Sequence, residues 1–548
     1  MNRSAKIVGA ALTALALVTS MLISGGASAA GAAREINEQP VSKLKKGGTF
    51  IYAMADIPDN FNTSHIDGNV AYASYVMDTA LPSLHLIDKN ATFQPDPNYA
   101  SKIVITSEKP QTITYTLNPN AKWSDGKKFG LADMKGMWKA LNGTNKDYAV
   151  VSTTGWEDIK SVKAGKGANE VVVTFSKIYP DWQGLFAAIL PAKITKDPVT
   201  FNTAWATQPD VSAGPFIFSK RDDAARTITV VRNKSWWGPA PVLDRVIFRA
   251  IPPATQLDAL ANGEVDYIDI GPDANQFKRA KALKGISVRV AQAPSYRHIT
   301  FGKRSEAIQN VLVRRAITAG MDRATIAKAM IGTIDPKAGA LNNHVFVGGT
   351  GCYKDNTGNL GNYNLQLADQ LLEKAGYTGN PRKNAAGEEL KLSILVPAGV
   401  PTSALEAQLA QAMLKPLNMT VDIEIAPLAE FFTDKYVFSG NFDMTIFTWV
   451  GTLLPISSSA NIFKKDSEQN FGNIYSAKVD QLFEKANSII DPVERCKLAN
   501  RADALIWKMG HSALMYQRPN VVATKAKVAN LGAFGFTGGD WTKVGFMK

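Results

Sequence analysis

Hydrophobic and polar positions along the chain follow two periods, and each predicts its own kind of element. A Gly47-Gly48 turn opens onto Thr49-Phe50-Ile51-Tyr52, which reads as a strand. Thr112 to Leu117 alternates with a period of two, while Val171 to Phe175 and Thr227 to Val231 are β-branched runs of strand length. Ala132 to Leu141 has helical spacing with Asp133 near its start. Val311 to Ile331 reads as helical, with Val313, Ile317, Met321 and Ile326 near one face. Asn364 to Ala375 is a helix with Asn364 as N-cap and Gly376 as its closing residue. Strand Leu390–Val396, helix Leu405–Leu414 and strand Val421–Ile425 follow in β-α-β order, which predicts parallel pairing in an α/β lobe. Asp480 to Ile490 and Val493 to Met509 are the last long helices, separated by Pro492. There is no internal repeat and no low-complexity tract.

At 548 residues the chain exceeds one compact core, and two or three lobes are expected. Hydrophobic residues make up 45% and charged residues 20%, an ordinary balance for a globular protein. Arg3 and Lys6 precede the uncharged apolar run Ile7 to Ile23, and Ala27-Ser28-Ala29 fits a small-x-small cleavage site. An export signal over 1–29 is preferred to a membrane anchor, followed by a flexible leader over 30–46. No cysteine lies directly after the apolar run, so no lipid anchor is expected. The two cysteines, Cys352 and Cys496, are expected to pair in an exported chain; two buried free thiols are the other reading. The formal charge of +13 is spread over scattered lysines, and no basic module for nucleic acid is present.

Catalytic and metal signatures are missing. The five histidines, His65, His85, His298, His344 and His511, form no H-E-x-x-H spacing. No G-x-S-x-G elbow, no C-x-x-C and no phosphate-binding G-x-x-x-x-G-K-[ST] loop occurs. Acidic neighbours such as Asp222-Asp223, Asp266 with Asp269, and Glu388-Glu389 read as solvated turns. A hydrolase with dispersed residues stays open as a minor alternative, since triads are set by geometry.

Seven segments, taken in order, carry a family pattern. They are Lys45-Lys46-Gly47-Gly48-Thr49-Phe50; Trp123-Ser124-Asp125-Gly126-Lys127 with Ala132-Asp133; Ala213-Gly214-Pro215-Phe216 with Arg232-Asn233-Lys234-Ser235-Trp236-Trp237-Gly238; and Asn262-Gly263-Glu264-Val265-Asp266. Val313-Arg314-Arg315-Ala316-Ile317 with Met321-Asp322-Arg323, then Leu371 to Tyr377, and Gly440-Asn441-Phe442-Asp443-Met444 ahead of Trp449 complete the set. From about Gly47 to the C-terminus the chain resembles the bacterial extracellular solute-binding proteins of family 5, the peptide- and nickel-binding subunits of ABC importers. Most of these motif residues read as structural: Gly126 for a turn, Trp236 and Trp237 for packing, Arg314 and Arg315 as salt-bridged or solvated, and Asp322 near a helix start.

The resemblance implies an α/β, periplasmic-binding-protein-like type II fold with two main lobes, an extra subdomain and an interlobe ligand cleft. It places lobe I at 47–93, 212–296 and 515–548, the accessory subdomain at 94–211 and lobe II at 297–514. It implies a monomeric binding protein outside the cytoplasmic membrane, without catalysis or cofactor, that captures oligopeptides or modified peptides and delivers them to a membrane permease. A same-fold receptor for a glycan, siderophore or metal chelate is the alternative. The implied contacts are Asp56, Asp59, Asn60, Phe61 and Asn62 in the first loop, the crossover Tyr296-Arg297-His298, and Thr448, Trp449, Gly451 and Thr452 in the second lobe. Thr452 stands where peptide-binding members place an amine-capturing aspartate. A hydroxyl cannot neutralise an ammonium group. Either another acid takes that role, Asp56 and Asp59 in the first loop being the candidates, or the ligand lacks a free amine. Trp449 has a core alternative, and Arg297 either meets a ligand carboxylate or is an ordinary surface arginine.

Overall fold

The computed structural model describes residues 34–348 and 350–548. The expected export signal lies outside the described residues. Three large sheets organise the chain. The first has seven strands in the order Ile286–Ala291, Asn520–Lys525, Tyr267–Asp269, Thr49–Met54, Arg245–Ala250, Thr227–Arg232 and Phe216–Asp222. Thr49–Met54 pairs in parallel with both Arg245–Ala250 and Tyr267–Asp269. The second has five strands in the order Thr420–Ala426, Lys391–Pro397, Met444–Trp449, Tyr296–Phe301 and Ser512–Gln517. Its first three strands are parallel, and the last two join antiparallel. The third is a four-stranded antiparallel sheet of Ala100–Glu108, Gln111–Leu117, Glu170–Phe175 and Ile159–Ala164.

Local chemistry explains most of these elements. Gln111–Leu117 buries every second residue, as its alternation requires. Gly126 closes the Trp123-to-Lys127 turn at φ 87°, where a side chain is disfavoured. Asn364 accepts from Leu367 N at 2.8 Å to start helix Leu365–Lys374. Pro492 opens the last helix, Pro492–Met509, as its first residue, and Asp491 caps it. The β-α-β run appears as strand Lys391–Pro397, helix Pro401–Leu414 and strand Thr420–Ala426, with parallel pairing.

The expected helix Val311–Ile331 is two helices, Val311–Gly320 and Arg323–Ile331. Asp322 breaks the run because its carboxylate accepts from Thr325 N at 2.9 Å and caps the second helix. Among the described residues, Arg314 meets no carboxylate. Its guanidinium donates to the carbonyls of Gly510, Ile308 and Met509 at 2.7–2.9 Å and ties two helix ends together. Residues 34–46 of the expected leader are ordered. Glu35–Ile36 pairs with Gly532–Ala533, Glu35 accepts from Val290 N at 2.7 Å, and Leu44 is buried beside Met547. A two-residue strand has no periodic signature, which is why this strap reads as a flexible leader in sequence.

One apolar cluster runs through the first and third sheets, from Phe50 and Tyr52 to Trp123, Phe186 and Trp205. Another fills the second sheet and its helices, including Ile299, Val313, Ile394 and Tyr516. The chain therefore forms two lobes. It passes between them after Ala291 and again after Gln517. These passages lie side by side, with Arg518 N donating to Ser295 O at 2.8 Å and the Gln517 amide to Ala293 O at 2.9 Å. The expected division at 514/515 cuts strand Ser512–Gln517, which belongs wholly to the second sheet. The division at 93/94 likewise falls inside Phe93–Pro95, whose partner is His85–Ile87.

Candidate functional site

In open α/β sheets, ligands bind beyond the carboxyl ends of parallel strands. Here those ends meet across the lobes. Ala254, just after strand Arg245–Ala250, donates its N–H to Gly399 O, just after strand Lys391–Pro397, at 3.3 Å. The first lobe brings the Asp56-to-Asn62 loop, which follows Met54, and Asp269, which ends its strand. The second lobe brings Trp449 and helix Pro401–Leu414.

Two charged pairs flank the passages. Arg518, between the two lobes, donates to both Asp269 oxygens at 2.8 and 2.9 Å. Tyr52, Tyr75 and Tyr267 pack there, with the Tyr52 and Tyr267 rings stacked 4.4 Å apart and Tyr75 5.2 Å from Tyr52. Burial, reinforced by the Asp269 carboxylate, raises the Tyr75 and Tyr267 phenols, so both stay protonated. Asp269 reads in the sequence as part of a solvated acidic turn; its partner Arg518 is 249 residues away, a distance no local pattern reveals.

On the second lobe Arg297 is buried. It donates to Glu406 at 3.0 and 3.1 Å, to Ser403 Oγ at 3.0 Å and to Thr448 Oγ1 at 3.2 Å, and Tyr516 donates its hydroxyl to Glu406. Burial alone would lower the Arg297 guanidinium, but the Glu406 carboxylate outweighs it and holds the group above its ordinary value. Arg297 is thus neither a surface arginine nor free for a ligand carboxylate: Glu406 already neutralises it. Thr448 is spent on the same network.

Other expected contacts are also engaged. Asn60 and Asn62 donate their amides to Asn202 O at 3.1 Å and Phe201 O at 2.9 Å, and Phe61 is fully buried against Phe218. Asn60 and Asn62 fasten the first loop to Phe201 and Asn202, Phe61 packs it on strand Phe216–Asp222, and none of the three lines an open surface. Asp56 is buried and paired with Arg226. Asp59 is exposed, and its carboxyl is raised by partial desolvation and by Asp56, with Arg221 opposing. His298 is buried and neutral, lowered by burial and then by Arg297, with Nε2 2.7 Å from Thr300 Oγ1. Tyr296 is buried edge-to-face with it, 5.7 Å away.

Trp449 is half-buried between two rings, stacking 5.9 Å from His298 and 6.0 Å from Phe471. These rings cover part of the indole, and the part that stays exposed is open to a solute. Gly451 has a packing reason: a Cβ there would lie 2.4 Å from Pro294 O at the passage between lobes. Thr452 accepts from Leu454 N at 3.0 Å and donates to Ser458 Oγ at 3.1 Å, so its hydroxyl organises the start of helix Pro455–Phe463. Cys352 and Cys496 face each other with Cα atoms 5.5 Å apart, a separation that a disulfide spans.

The segment 94–471 matches the family model of bacterial extracellular solute-binding proteins, family 5 Middle, over more than half of the chain. The chain belongs to this family. It is a solute-binding protein and not an enzyme. It is 37% identical to the oligopeptide-binding protein OppA of Mycobacterium tuberculosis over 528 residues, covering 95% of this chain and 88% of that protein. Among solved structures it is similar to a periplasmic EDTA-binding protein EppA, with a TM-score of 0.82, 25% identity and coverage of 94% of this chain and 99% of that one. It is also similar to the oligopeptide-binding protein AppA of Bacillus subtilis with a nonapeptide, with a TM-score of 0.81, 20% identity and coverage of 92% and 100%. The fold is the two-lobed type II binding-protein fold. Among the described residues, no helix is long and apolar enough to cross a membrane.

Proposed function

We propose that this protein captures oligopeptides between its lobes and presents them to the permease of an ABC importer. The observation that carries this reading is the 37% identity to an oligopeptide-binding protein over 95% of the chain. The meeting of the carboxyl strand ends of both lobes supports it, because a solute lying there touches both lobes and favours their closed arrangement by its differential affinity. Asp59 is the exposed carboxylate of the first loop, since Asp56 is taken by Arg226. It is our candidate for a peptide's amine, with the exposed part of Trp449 contributing apolar contact.

The protein acts as an exported monomer without a lipid anchor, and Cys352 and Cys496 form a disulfide. Likeness to an EDTA-binding protein at 25% identity favours one second reading, a metal chelate as solute. Mass spectrometry of small molecules released by denaturing the purified native protein separates the two. Intact peptides support our reading, whereas a chelated metal replaces it. N-terminal sequencing of the native protein tests export: a start near Ala30 supports it, and a retained Ile7 to Ile23 segment contradicts it.

A further inference from the structure

The lobes also touch away from both the passages that join them and the Ala254–Gly399 bond. Arg495, in the first turn of helix Pro492–Met509, reaches Asp181 of the third-sheet region, Nη2 to Oδ2 at 2.6 Å. Their side chains are only 12% and 5% exposed. Around the pair, Thr154 donates to Asn461 Oδ1 at 2.9 Å, the Asn461 amide donates to Ser152 Oγ, and Lys464 lies 3.5 Å from Glu157. Gly184 leaves no room for a side chain, since a Cβ there would come within 2.8 Å of Leu454.

The helix that presents Arg495 is held firmly. One face of it is joined to the 343–356 segment: Cys496 by Cys352, Asn500 by the Cys352 carbonyl at 3.0 Å, and Asp503 by His344 and Asn356 at 2.7–2.9 Å. Trp507 continues that face against the His344 ring, 4.6 Å away. Arg495 itself is aimed by a 2.9 Å bond from Nε to Ala486 O. A rigid arm with an ion pair suits a contact that must break and re-form. When the lobes part, both charges return to water, where each is readily solvated. The same pair, once shut away from solvent, is directional and tolerates little misalignment.

We propose that Arg495 and Asp181 form an interlobe latch that favours the closed arrangement whether or not a solute is bound, adding to the solute's own effect. The latch rests on the two-lobe fold and not on the identity of the ligand, so its test needs none. Solution X-ray scattering and hydrogen exchange are measured on protein freed of bound solute by unfolding and refolding with its disulfide state unchanged. We expect wild type to match the compact two-lobed structure. Arg495→Ala and Asp181→Ala should each enlarge the radius of gyration and speed exchange in 150–157 and 455–464 about tenfold. The double variant should open no further than either single one, because both remove one interaction. Asp181→Asn, which keeps the side-chain shape, carries the test if an alanine variant does not fold. Three results overturn the latch: wild type already separated, additive effects, or opening by Arg495→Ala without opening by the Asp181 variants. The last would assign the effect to the Ala486 bond.

Discussion

Arg297–Glu406 and Arg495–Asp181 are alike in chemistry and burial, yet they sit in different mechanical settings. The first lies wholly within one lobe, so its burial does not depend on a partner from the other lobe. The second joins two lobes and is buried only while they touch. Removing one partner of an intralobe pair leaves a charge stranded in the core and destabilises the fold. Removing one partner of an interlobe pair lets the other escape to water by opening. The same interaction therefore reads out as melting temperature in one place and as conformation in the other.

Breaking the intralobe pair should give the largest effect. Arg297→Ala should cost about 3–5 kcal/mol of unfolding free energy, measured by chemical denaturation, and Arg297→Met with Glu406→Leu should recover most of it. An Arg297→Ala cost below about 1 kcal/mol would mean the pair is solvated and the comparison fails.

The disulfide comes next. Labelling of the unfolded, unreduced protein should find no reactive thiol, and Cys352→Ser with Cys496→Ser should cost about 2–4 kcal/mol. Two labelled thiols per chain would contradict it.

Trp449→Ala should cost about 2 kcal/mol, because it empties a three-ring stack half exposed to solvent, as well as weakening solute binding. Unchanged stability with lost binding would mean that Trp449 is held by the solute and not by its neighbours.

Acid sharpens the contrast, because it acts on buried histidines of the second lobe. His511 is lowered to about 3 by burial, then by His344 and Arg314, and His298 is lowered well below its usual value. Their folded values lie below the unfolded value, so their neutral forms contribute full stability above about pH 6.5, and this is lost as pH falls. Between pH 6.5 and 5.5 each should remove about 1 kcal/mol. His511→Gln should flatten that slope, and an equal slope in the variant would refute the assignment. The smallest effect on melting belongs to Arg495→Ala, whose consequence appears in the separation of the lobes.

Much of the fold was legible because period and capping are local. Asn364, Pro492, Gly126 and the alternation of Gln111–Leu117 each announce their structure within a few residues. Strands Tyr296–Phe301 and Ser512–Gln517 were not, since they are buried on both faces and show no alternation. The site was less legible still. Resemblance put Asn60 and Asn62 in the cleft, but their amides are spent on carbonyls about 140 residues onward. Arg297 meets Glu406 across 109 residues and Arg518 meets Asp269 across 249, and sequence alone offers no rule that joins them.

The central claim is that one solute is gripped by the carboxyl strand ends of both lobes. Hydrogen exchange with and without the solute identified by mass spectrometry tests it most directly. We expect slowed exchange on both sides at once, in 55–62 and 268–271 of the first lobe and in 398–406 and 449–454 of the second. Slowing confined to one lobe, or to neither, would contradict it.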